Sequence, residues 1–259
     1  VDERLVMPET RYEAIDGEIS YVCPSDEPHG TYHSRIAALL EAHVIASYRV
    51  AVDMLTRTSE KNDMAPDASV FPAARDPETG GRLLEELVFE VVSTESLAHA
   101  AKKARALADR GVRRLFAIDV ERRRALEWSR QTSAWEILPT DGTIEDPTLA
   151  LPLPLRALAD AIRADDAVAQ ALLAKQNPVI EGALREARGE GKVEGKIEAL
   201  LQILAARGLR ITKKADRLLR AERDEAVVDR WLVRAASCSS VEALVAPSGA
   251  RKRPPALGK

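Results

Sequence analysis

Cysteine is nearly absent from this chain. Its two residues, Cys23 and Cys238, stand far apart and in no metal-ligand spacing. A disulfide framework and a cysteine-held metal are therefore not expected, and free thiols in the cytoplasm are the simpler reading. No apolar run approaches the length needed to span a bilayer, and no apolar signal-peptide core stands near the start, so no membrane partner is expected. Nucleophile elbow, P-loop and dinucleotide glycine patterns are also missing. Nor is there an excess of charge of one sign. Lys and Arg number 38 against 41 Asp and Glu, a net −3, which argues against strong non-specific binding of nucleic acid. What remains is 46% hydrophobic and 31% charged over 259 residues, the composition of a packed core in one large domain or a domain with an appendage.

Within that core two segments carry an acid where none is expected. Ala65-Pro66-Asp67-Ala68-Ser69-Val70-Phe71 and Leu87-Val88-Phe89-Glu90-Val91-Val92-Ser93 both read as buried strands with a single carboxylate each. Burying an ionised carboxylate costs several kcal/mol, roughly, unless a cation or donors compensate it. Asp67 and Glu90 on adjacent strands suggest a shared divalent metal. A helix from about Ser96 to Arg110 follows. Its apolar face is Leu97, Ala100, Ala101, Ala104, Leu107 and Ala108, with Lys103 at the border of that face and Lys102 pointing away.

Around these lie a hairpin over Tyr12–Val22 turning at Asp16-Gly17, a loop over Pro24–Gly30, a helix over about Tyr32–Ala46, and a strand over Arg49–Leu55. After a turn at Gly111 come strands at Leu115–Asp119, Leu126–Ser129 and Ala134–Leu138. The order of helix, three strands, helix and strand indicates an α/β fold with a mixed sheet. Composition changes near Pro152-Leu153-Pro154, beyond which the chain reads as an all-α extension. We expect helices at Leu155–Ala164 and about Val168–Ala206, then a compact module at Thr212–Val245 and a disordered basic tail from Pro247. The expected divisions are 1–155, a charged helical linker 156–211, the module 212–246 and the tail 247–259. The segment Glu181–Leu204 carries glycines at 182, 189, 191 and 195, each costing a helix up to about 1 kcal/mol relative to Ala. Such a helix is marginal alone, so a homodimer packing two of them together is one expectation.

Arg11-Tyr12-Glu13-Ala14-Ile15-Asp16-Gly17-Glu18-Ile19, His33, Pro66-Asp67, Glu90-Val91-Val92-Ser93, Lys103, Gly111-Val112 and Leu115-Phe116-Ala117-Ile118-Asp119 occur in that order. This series resembles the Uma-two family of restriction-endonuclease-like proteins in the PD-(D/E)XK nuclease superfamily, over roughly the first 155 residues. The resemblance implies a restriction-endonuclease-like core with flanking helices, and a metal-dependent endonuclease that hydrolyses DNA phosphodiesters. The alternative is a catalytically inactive protein of the same fold that holds DNA or a protein partner. By the resemblance Asp67, Glu90 and Lys103 are the catalytic residues, with Asp67 and Glu90, joined by the Val91 carbonyl, as ligands of Mg²⁺, or of Mn²⁺ in its place. Val92 stands where the superfamily motif places its lysine, and the resemblance moves that role to Lys103. Glu13, Glu18 and His33 are auxiliary candidates. His99, Leu107 and Leu115-Phe116 depart from the family pattern.

Mg²⁺ prefers hard oxygen ligands, one or two carboxylates with several waters, which suits this donor set. His29 and His33 lie four apart, but no third ligand is in range by sequence, so zinc is not expected. Nine basic residues fall between Lys102 and Arg124 against three acids. They form either a solvated face or a phosphate-contacting one.

Overall fold

The computed structural model describes residues 12–20, 27–93 and 97–246. Arg11, Cys23, the expected helix start at Ser96 and the tail from residue 247 lie outside the described residues. The chain divides into two units between Asn177 and Pro178.

In the first unit the Asp16-Gly17 pair turns the hairpin as its sequence requires. Both residues have positive φ, 55° and 85°, and they join β1 (Glu13–Ile15) to β2 (Glu18–Ser20). Helix α1 covers Glu27–His43. It begins five residues before the expected Tyr32 and ends three before Ala46. Its apolar stripe, Ile36, Leu39 and Leu40, starts late, so the pattern hides the first turns. Pro28 does not oppose them, because a proline in the first helical turn loses no intrahelical bond. Strand β3 (Tyr48–Ala51) is shorter than expected and stops before Asp53, whose φ is 50°.

Two short polar strands that the sequence pattern did not show follow, β4 (Thr56–Ser59) and β5 (Asn62–Met64). They are pinned by a bidentate pair in which Arg57 donates to Asp63 at 2.7 and 2.9 Å. The remaining elements are β6 (Ala68–Pro72), β7 (Leu87–Val92), α2 (Leu97–Arg110), β8 (Arg114–Asp119), β9 (Arg124–Ser129), β10 (Ala134–Ile137), β11 (Thr143–Ile144), β12 (Leu153–Pro154), α3 (Leu155–Ala159) and α4 (Ala161–Ala174).

The main sheet runs β10-β9-β8-β7-β6-β3, with β7 and β8 parallel and the other neighbours antiparallel. Alternation along β7 sends Leu87, Phe89 and Val91 into one core with Ile36, Leu39 and Leu40 of α1. Val88 and Val92 face the other side, where Ala100, Ala104 and Leu107 of α2 pack. Phe89 and Phe116 stack at 4.9 Å. Withdrawing each such large apolar side chain from water contributes about 1.5–3 kcal/mol. A second antiparallel sheet, β2-β1-β5-β4, brings β4 and β5 against α2. Helices α3 and α4 pack on α1, and Leu155, Ala157, Leu158, Ala164 and Ala167 belong to its core. They are parts of the first unit, so the chain does not divide after residue 155, and the expected Leu155–Ala164 helix breaks at the extended Asp160.

The second unit is built on α5 (Pro178–Ala206), α6 (Lys213–Ala221), α7 (Glu225–Ala235) and α8 (Val241–Val245). Val193, Ile197, Leu200 and Leu204 of α5 form one side of its core, against Leu219, Val228, Trp231 and Leu244. The segment expected as a linker thus supplies the module's longest helix. Leu218, an apolar residue of α6, is 46% exposed. Thr212 caps α6 by accepting from the Ala215 N–H. The four glycines of α5 have no neighbour within 4 Å of where a Cβ would stand.

Candidate active site

Glu90 sits in the middle of β7, where neighbouring strands leave no room for solvent. It is 6% exposed and faces α2 by strand alternation. Asp67 is the residue before β6 and lies in the approach to that strand, not inside it as the sequence suggested. The β6–β7 register pairs Ala68 with Phe89, and continued by one residue it sets Asp67 opposite Glu90. The Val91 N–H donates to Asp67 Oδ2 at 2.5 Å.

Lys103 lies on the α2 face turned to the sheet and is buried, whereas Lys102 is exposed. An ammonium has three N–H donors. The Lys103 Nζ has three acceptors, Glu90 Oε2 at 3.0 Å, Glu13 Oε1 at 3.1 Å and the Ala65 carbonyl at 3.0 Å. Glu13, from β1, also accepts from the Ala65 N–H at 2.7 Å, holding the backbone two residues before Asp67. The structure therefore brings Glu13, Asp67, Glu90 and Lys103 together. Glu18 is exposed on β2 and makes no contact with this group among the described interactions.

Three carboxylates facing one ammonium leave an excess of buried negative charge. Burial pushes Glu90 up to about 8, opposed by Lys103 and reinforced by Asp67 and Glu13. Burial alone would lower Lys103, but Glu90, Glu13 and Asp67 outweigh it and hold the ammonium above its usual range. Burial works against the charge of Asp67 as well. A hydrogen bond from His29, the Lys103 charge and the Val91 N–H prevail and keep its carboxyl below the ordinary value. Glu90 Oε1 is buried without a hydrogen-bond partner. Such an orphaned acceptor costs about 1–3 kcal/mol, and only a proton on Glu90 or a cation removes the excess. Hard oxygens with surplus charge fit a divalent cation of the Mg²⁺ class.

Asp67 also meets histidines that the sequence did not bring to it. With α1 starting at Glu27, His29 and His33 share a helix face four residues apart. His29 Nε2 lies 3.3 Å from Asp67 Oδ1. His33 Nε2 contacts the Asp67 carbonyl and lies 3.8 Å from Asp53 Oδ1. Ligand atoms of His33, Asp53 and Asp67 all fall within 4.8 Å of one another, so a third ligand, thought absent, is present beside His33. The i,i+4 spacing was legible; Asp53 carried no signal, because only the positive-φ turn after β3 brings it there.

The basic run is mostly committed within the protein. Arg113 donates to Glu86 and Asp146, Arg114 to Glu127 and Asp146, and Arg122 and Arg124 to Asp119. Lys102 and Arg105 instead line an open cleft of about 570 Å³, with Asn62, Met64 and Trp128 also on its wall. The departures from the family pattern at Leu107, Leu115 and Phe116 are core packing, each at most 1% exposed.

Residues 1–161, more than half of the sequence, match the Uma2 family, described as "Putative restriction endonuclease". The chain belongs to the Uma2 family. A solved structure from Anabaena variabilis ATCC 29413, titled a "putative nuclease belonging to DUF820", is similar at 21% identity and a TM-score of 0.49. The match covers 59% of this chain and 92% of that one. No curated protein matches the chain. The Uma2 match takes in α1, the four- and six-stranded sheets and α2, and with them every residue of the cluster around Asp67. The mixed α/β fold expected from the sequence, with its helical extension, is the fold observed. Among the described residues no helix is long and apolar enough to cross a membrane.

Proposed function

We propose that the first unit is a metal-dependent endonuclease that hydrolyses DNA phosphodiester bonds, with Asp67, Glu90 and Lys103 as its catalytic residues. The observation that supports this most is the orphaned, buried Glu90 Oε1 in a cluster of three carboxylates and one ammonium. That cluster is poorly stabilised by itself and well suited to a cation. Asp67 and Glu90 would hold Mg²⁺, or Mn²⁺ in its place. Such an ion supplies a Lewis acid for the phosphoryl oxygen and a more acidic bound water. His33 and Asp53 adjoin Asp67 as further candidate ligands. Lys103 keeps its positive charge beside the site and offsets the negative charge that grows on phosphate during attack. Glu13 is a positioning residue that holds both Lys103 and the backbone before Asp67. The widely separated cysteines support a cytoplasmic setting.

The test is cleavage of single-stranded, double-stranded and supercoiled DNA by the full chain with Mg²⁺ or Mn²⁺. Cleavage is expected, and Asp67→Asn, Glu90→Gln and Lys103→Ala should each abolish it. Activity that survives Glu90→Gln would remove the site from the reaction. Calorimetry adds a readout without substrate: Mg²⁺ should bind the native chain and not Glu90→Gln. DNA binding with no cleavage and no Mg²⁺ uptake would establish a protein that holds DNA without cutting it.

A further inference from the structure

We propose that helix α6 and the groove beside it form a second nucleic-acid contact, a phosphate-binding surface on the C-terminal helical unit. The choice of DNA as the polyanion rests on the nuclease reading of the first unit; the surface itself does not. Seven arginines and lysines fall within residues 207–223 against two acids, in a chain whose overall charge is −3. Three of the seven are occupied. Arg207 donates to the carbonyls of Ala235 and Cys238, Arg223 to that of Arg220, and Arg220 to Asp216. Arg210, Lys213, Lys214 and Arg217 are exposed, and among the described residues none makes a hydrogen bond or ion pair.

The placement of three of these, Lys213, Lys214 and Arg217, is unfavourable for the protein alone. Lys213 and Lys214 occupy the first turn of α6, where the helix dipole disfavours cations. Lys213 and Arg217 are four apart, a like-charge spacing that opposes the helix. An anion along the face of Lys213 and Arg217 offsets their mutual repulsion and the unfavourable dipole at Lys213. Lys213, Asp216, Arg217 and Arg220 fall on one side of α6 and line a groove of about 610 Å³ whose remaining wall includes Leu201, Ala205 and Ile211. From Lys213 to Arg217 the two uncommitted cations of the groove stand about 6 Å apart along the helix at 1.5 Å per residue, a spacing suited to two neighbouring phosphates of a linear backbone. The large apolar residue exposed on this helix, Leu218, is not part of the groove, which disfavours a partner held by apolar contact.

The experiment measures binding of a fluorescently labelled DNA duplex to the full chain by anisotropy, in EDTA so that no cleavage occurs. Lys213→Ser/Arg217→Ser should weaken binding roughly tenfold and lower the salt slope by about two, at about 0.9 per phosphate contact. Arg185→Ser/Arg188→Ser on α5 removes the same charge from another exposed face and should leave binding unchanged, as should the conservative Arg217→Lys. Equal weakening by the two double variants would reduce the effect to net charge and overturn the surface. So would unchanged binding by Lys213→Ser/Arg217→Ser, or sedimentation with anionic phospholipid vesicles in place of DNA binding. The two readings fail separately. If no DNA is cleaved but duplex binding depends on Lys213 and Arg217, the surface stands and the nuclease falls. If DNA is cleaved while the double variant binds like the native chain, the reverse holds.

Discussion

Asp146 in the first unit and Glu225 in the second are both held down to about 2 by basic partners, yet the two ion pairs do different work. The Asp146 side chain is fully buried. It accepts two bonds from Arg113 at 2.8 Å and is braced by the N–H and hydroxyl of Thr148. Glu225 is 39% exposed and meets Lys192 and Lys196 at the surface. Arg113 is itself 38% exposed, but a bidentate pair with its carboxylate buried is screened less by salt than an exposed pair between long side chains, which contributes little. The contrast extends to the units as wholes. The first unit encloses charge in its interior, at Arg57–Asp63, at Glu85 with Arg82, and above all at Lys103 with Glu13 and Glu90. The second has an apolar interior and leaves its charge outside. Interior charge of that kind lowers stability unless every member is paired, so its concentration around Glu90 points to chemistry.

The largest effect that can separate the units is removal of Lys103. Lys103→Ala leaves Glu13 and Glu90 buried without their cation, and losing one partner of a buried pair costs about 3–5 kcal/mol. Urea unfolding of the first unit should record that loss, and DNA cleavage should vanish while Mg²⁺ binding to the folded fraction persists. Lys102→Ala, one residue away on the exposed face, should change neither. Similar behaviour of the two variants would remove the distinction between the buried and exposed faces of α2.

Next in size is Asp146→Ala. It removes bonds to a charged partner, each class of which contributes about 1.5–3 kcal/mol, and the loss should persist in high salt. Glu225→Ala should shift unfolding far less, and salt should erase the shift. The sign with pH follows from the lowered carboxyl. Asp146 contributes stability above its unfolded pKa of 3.8 and loses it as pH falls toward about 2. A salt-sensitive Asp146 would place its pair in the same class as Glu225.

A smaller effect separates the units by histidine. All four, His29, His33, His43 and His99, lie in the first unit. His43 is fully buried. One ring nitrogen contacts the Leu39 carbonyl at 2.7 Å, and the other has no partner. Burial lowers its pKa from 6.5, against the Leu39 contact and with help from the Lys175 charge. A lowered folded pKa gives stability that is present above 6.5 and lost as pH falls through the folded value. Acid should therefore weaken the first unit with a slope of at most about 1.4 kcal/mol per pH unit from this group. His43→Leu should flatten that part of the profile, measured by thermal unfolding between neutral and mildly acid pH. No such histidine-linked change is expected in the second unit.

These contrasts also explain what could be read in the sequence. The strand Leu87–Val92, the Asp16-Gly17 turn and the phase of Lys103 on α2 were legible, because local patterns of period 2 and 3.6 determine them. Asp67, Glu90 and Lys103 stood out as polar residues in apolar settings. Strands β4 and β5 were not legible: they are three or four residues long and held by an ion pair, which leaves no apolar alternation. The role of α5 was hidden for a related reason. Val193, Ile197, Leu200 and Leu204 form a narrow stripe within a stretch so rich in Glu, Lys, Arg and Gly that composition suggested a linker. His29 and Asp53 could not be placed at all, because tertiary contacts alone bring them to Asp67.

The smallest expected effect concerns the α5 glycines and tests whether the second unit completes itself. Within one chain a Cβ at Gly182, Gly189, Gly191 or Gly195 meets nothing within 4 Å. Alanine there should stabilise the helix by up to about 1 kcal/mol each, because glycine loses more backbone freedom on folding. We propose that the full chain self-associates through this helix, whose exposed apolar residues include Val179 at 78% and Leu184 at 40%. Light scattering across micromolar concentrations should then show a dimer for the full chain and a monomer for one ending at Asn177. If a second copy of α5 packs against the glycines, Gly191→Ala/Gly195→Ala should dissociate the dimer even as each separate helix gains stability. A dimer that tolerates both alanines would move the contact to the Val179 and Leu184 end of the helix. Equal monomer masses for both chains would show that the exposed half of α5 needs no partner, and the alanines should then raise the thermal midpoint without any change in mass.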